Sequence, residues 1–162
     1  AKHGTTYTDP DLKLIDEWAE AWSYYLIKTS ADLAEEKGTI PLNEETKYGS
    51  GILPIDTYKR DVDDLVKRKL TCNWDQLRKQ LKEHGVRNST LMALMPSETS
   101  SQISNATNGI ETPRSYVSVK QSKDGILKQV VPEYRNLRSK YELLWDQSSP
   151  EGYLKIVSVL QK

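Results

Sequence analysis

The sequence predicts an α/β chain, and three observations carry that prediction. Apolar residues recur at helical spacing over the first forty residues, a compact apolar run follows at Thr90–Met95, and two short alternating segments flank Asp124-Gly125. At 162 residues the chain is long enough for one compact domain with a real core, and one domain is the default expectation. Its 23 Lys and Arg balance 23 Asp and Glu, so no global basic field favours nucleic acid or a membrane surface.

The first element is a long helix. Thr8-Asp9-Pro10-Asp11 supplies a capping side chain, a proline for the first turn and carboxylates for the positive end of the helix. Leu12, Ile15, Trp18, Ala19, Trp22, Tyr25, Leu26, Leu33 and Ala34 then recur at helical spacing, and Gly38 supplies the stop. The aromatic stripe is read as core rather than as a cofactor box. From Thr39 to Pro54, Pro41, Gly49, Gly51 and Pro54 break the period, which predicts a loop. Gly49-Ser50-Gly51 lacks both the further glycine of a dinucleotide fingerprint and the lysine of a P-loop.

Two shorter helices are expected, Asp56–Lys67 and Asn73–His84, the second capped by Asn73 and closed by Gly85. Asp61, Asp63, Asp64, Lys67 and Arg68 form a carboxylate-rich cluster that a solvated helix face explains. The one cysteine, Cys72, excludes an intramolecular disulfide, and with no histidine nearby it is expected as a small half-buried thiol. His3 and His84 lie far apart, so no metal site is expected.

Thr90–Met95 reads as a buried strand that Pro96 ends. Tyr116–Val131 is a hairpin candidate turning at Asp124-Gly125. Helices follow from Pro132, with Tyr134, Leu137, Tyr141, Leu144 and Trp145, and from Pro150, with Tyr153, Leu154, Ile156, Val157 and Leu160. The last pattern has no closing glycine or cap, as expected of a segment cut from something longer. Polar first residues and the lack of any apolar run near the roughly 20 residues of a membrane span predict a cytoplasmic protein. Asn88-Ser89-Thr90 and Asn105-Ala106-Thr107 match the glycosylation pattern but are read as turn and cap chemistry.

Chemistry concentrates at Met95-Pro96-Ser97-Glu98-Thr99-Ser100-Ser101-Gln102. A strand there delivers hydroxyls to a helix start, where unpaired N–H groups attract anions and serine or threonine hydroxyls add donors. The alternative is a serine-rich capping box in which Ser97 to Ser100 satisfy those N–H groups internally. Glu98 opposes a simple anion site unless it turns to a sugar hydroxyl or a cation.

The run Leu94–Glu111, LMPSETSSQISNATNGIE, resembles the substrate-phosphate segment of class I ribonucleotide reductase large subunits. Gly51–Tyr58, His84–Thr90, Lys123–Leu127 and Tyr141–Trp145 resemble further segments of that family in the same order, so the similarity spans nearly the whole chain. The resemblance implies the later strands and helices of a ten-stranded α/β barrel with a β-hairpin, residues 1–162 being one incomplete segment of it. It implies an allosteric, ATP-binding oxidoreductase of deoxyribonucleotide biosynthesis and DNA replication that reduces ribonucleoside diphosphates by a radical mechanism.

By position, Ser97, Glu98, Thr99 and Ser100 match the diphosphate-binding loop, with Pro96 near the nucleoside. The family's radical cysteine, its redox cysteine pair and its nucleotide-sensing region would precede this chain; its paired radical-path tyrosines and shuttle cysteines would follow it. Cys72 matches none of these, and Tyr24-Tyr25 is in the wrong segment for the radical pair. No catalytic residue is therefore expected here, and the chain alone should not catalyse reduction. The implied partners are a ribonucleoside diphosphate, the remaining large-subunit segments and a small subunit whose metal generates the radical. No cofactor is expected on this segment, and no DNA, RNA or membrane. The rival is a non-catalytic binding or assembly module.

Overall fold

The computed structural model describes residues 3–123 and 125–162, and it divides into two units. One unit comprises residues 12–93 and 157–162, and the other residues 1–11 and 94–156.

The first unit is helical. Its longest element, α1, spans Leu12–Lys37 and stops where predicted, Gly38 taking φ 81° and donating its N–H to Ala34 O at 2.8 Å. The short helix α2 spans Pro54–Thr57, and a 3-10 turn follows over Arg60–Asp64. The expected continuous helix over Asp56–Lys67 is thus broken. Tyr58 is extended at ψ 160°, and Asp56 spends its carboxylate capping α2 by accepting from Leu53 N at 2.8 Å.

Helix α3 spans Trp74–His84 with the predicted ends. Asn73 accepts from Gln76 N at 3.1 Å, and Gly85 closes the helix at φ 72°. Any side chain at Gly85 would also collide with Thr39 and Asn43.

α1 packs on α3, and Tyr24, Ile27 and Ala31 of the first with Trp74, Leu77 and Leu81 of the second form one core with Leu53 and Val86 from the adjoining segments. Tyr24 meets Trp74 edge to face, ring centroids 5.2 Å apart. The aromatic stripe expected in the core is only partly there, because Trp18, Trp22 and Tyr25 are exposed. The buried face runs instead through Asp16, Glu20, Tyr24, Ile27, Ala31 and Ala34, a rotation that puts two carboxylates inside.

The second unit is built from loops, short turns and one hairpin. Strands β1, Val117–Ser122, and β2, Gly125–Val130, pair antiparallel with Val117 opposite Val130 and Lys120 opposite Leu127. The hairpin is where the alternation predicts it, although Asp124 of its turn lies outside the described residues. Among the described residues these are the only strands, and the sheet does not close into a barrel.

Two expectations fail near this unit. Thr90–Met95 forms no ladder, and Met92, Leu94 and Met95 are exposed, since a strand is stable only where a neighbour pairs its backbone and covers its side chains. The segment after Pro132 is interrupted: α5 holds only Tyr134–Leu137, and separate 3-10 turns cover Arg138–Lys140 and Leu144–Asp146. The last helix, which we number α6 after the one-turn α4 at Ser100–Ile103, spans Glu151–Leu160 as expected, with Val159 fully buried. No helix among the described residues is long and apolar enough to cross a membrane.

Candidate functional site

The hydroxyl-rich turn sits in a loop closed at its base by Ser97 N donating to Asn108 O at 3.1 Å. Inside the loop, Ser101 N reaches Ser97 O at 3.0 Å and Gln102 N reaches Thr99 O at 3.1 Å, winding the single turn of α4. Asn105 adopts the left-handed conformation at φ 51°, and Ala106 N returns to Ser101 O at 2.9 Å. Asn105 therefore serves turn chemistry, as its side chain allows. Ser101 is the buried pivot, its hydroxyl donating to Glu98 O at 3.3 Å.

The five residues singled out by sequence are placed on one continuous stretch. Pro96, Glu98, Thr99 and Ser100 are exposed and Ser97 is half-buried. Among the described residues, the backbone N–H groups of Glu98, Thr99 and Ser100 donate to no protein acceptor, and neither do the hydroxyls of Thr99 and Ser100. The capping box is absent: Thr99 makes no side-chain cap, and the Ser97 hydroxyl donates back to Met95 O at 3.4 Å. Three N–H groups and two hydroxyls on consecutive residues are thus left for solvent or a ligand. A one-turn helix carries little macrodipole, so these local donors, rather than a helix end, are what the turn offers an anion.

Charge near the turn comes from Glu98, whose Oε2 lies 3.3 Å from Lys120 Nζ on β1. The loop's later part is held by Tyr7, whose hydroxyl donates to Ile110 O, and by Glu142, which accepts from Tyr7 N at 2.7 Å and Thr8 N at 3.0 Å. Burial, reinforced by Tyr153 and the carboxylates of Glu111 and Glu142, pushes the Tyr7 phenol up to about 12, so it remains a neutral donor. Gly152 allows this packing: a Cβ there would clash with the Tyr7 carbonyl oxygen.

The helical unit contains a second polar cluster, built on Arg68; of the residues expected on a solvated face, Asp61, Asp64 and Lys67 are exposed, but the Arg68 side chain turns inward. The Arg68 side chain is only 5% exposed, with Nε 2.5 Å from Asp16 Oδ2 and Nη2 2.6 Å from Glu20 Oε2. Glu20 Oε1 also accepts from Thr71 N, Cys72 N and Trp74 Nε1 at 2.9, 2.9 and 3.0 Å. Burial opposes ionisation of Glu20, but the donors from Cys72, Trp74 and Arg68 outweigh it and hold the carboxyl below its usual value. The available signal was Asp16 and Glu20, four residues apart beside the apolar stripe of α1. Lys162 joins the cluster at 3.6 Å from Asp16 Oδ1 and 3.2 Å from Asp63 Oδ1. Glu20 is fully engaged by these donors, while Arg68 Nε and Asp16 Oδ2 meet as an ion pair without hydrogen-bond geometry; the charges are turned inward on one another, so the cluster is structural.

Cys72 is half-buried, and burial followed by the nearby Glu20 carboxylate raises its thiol above the ordinary value, the opposite of an activated nucleophile. Among the described residues no group of three or more His, Cys, Asp or Glu side chains could hold a metal.

The family described as "Ribonucleotide reductase, barrel domain" matches residues 1–153. The chain is 58% identical to ribonucleoside-diphosphate reductase 1 subunit alpha of Salmonella typhimurium and 57% identical to that of Escherichia coli, in each case over all of this chain and 21% of the relative. Identity to the corresponding subunit of Enterobacteria phage T4 is 43%, over the whole chain and 22% of that protein. The chain thus spans about a fifth of the length of these relatives. With the family pattern running through 153 of its residues, the chain belongs to the ribonucleotide reductase barrel-domain family.

Proposed function

We propose that this chain is the substrate-diphosphate-binding part of a ribonucleoside-diphosphate reductase, acting with the other segments of a large subunit and with a radical-generating small subunit. The observation that carries the reading is the run of uncommitted donors at Glu98, Thr99 and Ser100. Backbone N–H groups and hydroxyls presented together match the oxygens of a diphosphate, and none must first break an internal bond. The remaining chemistry belongs elsewhere: one thiol with a raised pKa cannot supply a redox pair, so this segment binds and orients while other segments reduce.

In this reading the segment contributes to a closed ten-stranded barrel. Thr90–Met95 would then gain neighbours that cover its exposed apolar residues, as an unpaired extended run requires.

Changing Thr99 and Ser100 together to alanine in the large subunit that carries this segment tests the reading. Each lost charge-assisted hydrogen bond is worth roughly 1.5–3 kcal/mol, so substrate KM should rise by at least tenfold. Unchanged affinity for the diphosphate would remove the assignment.

A second reading, a non-catalytic binding or assembly module, draws on the exposed hairpin face of Val117, Val119, Ile126 and Val130. A nucleoside diphosphate titration followed by NMR separates the two. The first reading expects shifts at Ser97 to Ser101 in the assembled complex, the second none.

A further inference from the structure

Glu98 poses a problem for the proposed diphosphate site. Its carboxylate projects from the same turn that offers the free N–H groups, and a full negative charge there would repel an incoming phosphate. The nearby cation comes from a different element. Lys120 Nζ lies 3.3 Å from Glu98 Oε2, across 22 positions of sequence and from the middle of β1.

The hairpin register decides that this contact is possible. Side chains alternate along a strand, so Lys120, opposite Leu127, shares a face with Ser118 and Gln129. The other face carries Val117, Val119, Ile126 and Val130. A one-residue slip would exchange the faces and withdraw the ammonium from Glu98. Lys120 is also the more sheltered partner, its side chain 32% exposed against 64% for Glu98, so the cation is the steadier member of the pair.

We infer that Lys120 is a positioning residue for the phosphate turn: by pairing with Glu98 it draws the carboxylate aside and offsets its charge, letting an anion approach the N–H groups of Glu98, Thr99 and Ser100. The inference rests on the diphosphate reading above and adds to it a residue that lies outside the turn. It makes the hairpin part of the binding apparatus rather than an appendage.

The test uses the large subunit carrying this segment and follows KM and kcat for a ribonucleoside diphosphate. An exposed pair of this kind contributes modestly, so Lys120→Met should raise KM roughly two- to fivefold with kcat unchanged. Lys120→Arg should restore KM. Because Lys120 acts through Glu98, Lys120→Met should have no effect in a Glu98→Gln background. An unchanged KM in Lys120→Met overturns the inference, and so does an equal rise with and without the Glu98 carboxylate, which would mean that the ammonium meets the phosphate directly. Measuring Thr99→Ala/Ser100→Ala in parallel separates this inference from the one beneath it. A rise in KM for that variant alone defeats only the role of Lys120; no rise in either variant defeats the phosphate turn as well.

Discussion

In the helical unit Ile27, Leu53, Leu77, Leu81 and Val86 are fully buried beside an ion cluster whose donors and acceptors face one another, whereas in the loop unit Leu94 is 73% and Ile103 85% exposed. The loop unit gets its shape from backbone closures such as Ser97 N to Asn108 O and from Tyr7, tied to Ile110 and Glu142. The difference separates two uses of polar groups. In the helical unit the buried carboxylates of Asp16 and Glu20 are committed to the Arg68 guanidinium, while in the loop unit the exposed Thr99 and Ser100 keep their N–H and hydroxyl donors uncommitted. Donors at an exposed turn can be left to solvent, whereas in a buried scaffold an unspent donor carries a desolvation cost.

If that contrast holds, the largest stability change should come from the helical unit. Arg68→Met keeps most of the aliphatic stem but leaves Glu20 buried without its cation and Asp16 with Lys162 alone, which should cost about 3–5 kcal/mol in urea unfolding. A loss below about 1 kcal/mol would mean that water reaches the cluster. Next comes Gly152→Ala in the loop unit, where the added methyl meets the Tyr7 backbone. Overpacking of this kind costs typically 1–3 kcal/mol, and near-UV circular dichroism of the tyrosines should report the displacement.

The pH dependence sharpens the comparison. Glu20 is held below its ordinary value of 4.5, so the stability it contributes is complete above that pH and is lost as pH falls through the lower folded value. Glu20→Gln should flatten this acid limb. Tyr7 behaves in the opposite sense: its phenol is raised from 10.0 to about 12, so its contribution is complete below pH 10 and disappears as pH rises toward 12. Tyr7→Phe should remove that share of the alkaline loss. The smallest effect is expected at Lys155, whose pair with Glu151 at 2.6 Å lies on the exposed side of α6. Lys155→Ala should leave the urea midpoint unchanged, and a clear shift would show that surface pairing matters more than the buried cluster implies.

Sequence by itself determined the elements whose signals are local. The stop of α1 at Gly38, the Asn73 cap and Gly85 end of α3, and the hairpin about Asp124-Gly125 depend on residues within a few positions of one another, so each could be read without the rest of the chain. The family was legible in runs such as Leu94–Glu111, and the family match over residues 1–153 bears that recognition out. Tertiary structure decided what depends on distant partners. It rotated α1 so that Asp16 and Glu20 face inward to Arg68, it split the helices expected at Asp56–Lys67 and after Pro132, and it left Thr90–Met95 unpaired. It also set Lys120 beside Glu98. Periodicity records which residues share a face, but not which distant charge or strand that face will meet; that choice rests on burial and pairing across the chain, where the cost of leaving a buried charge or strand edge without a partner outweighs local preference.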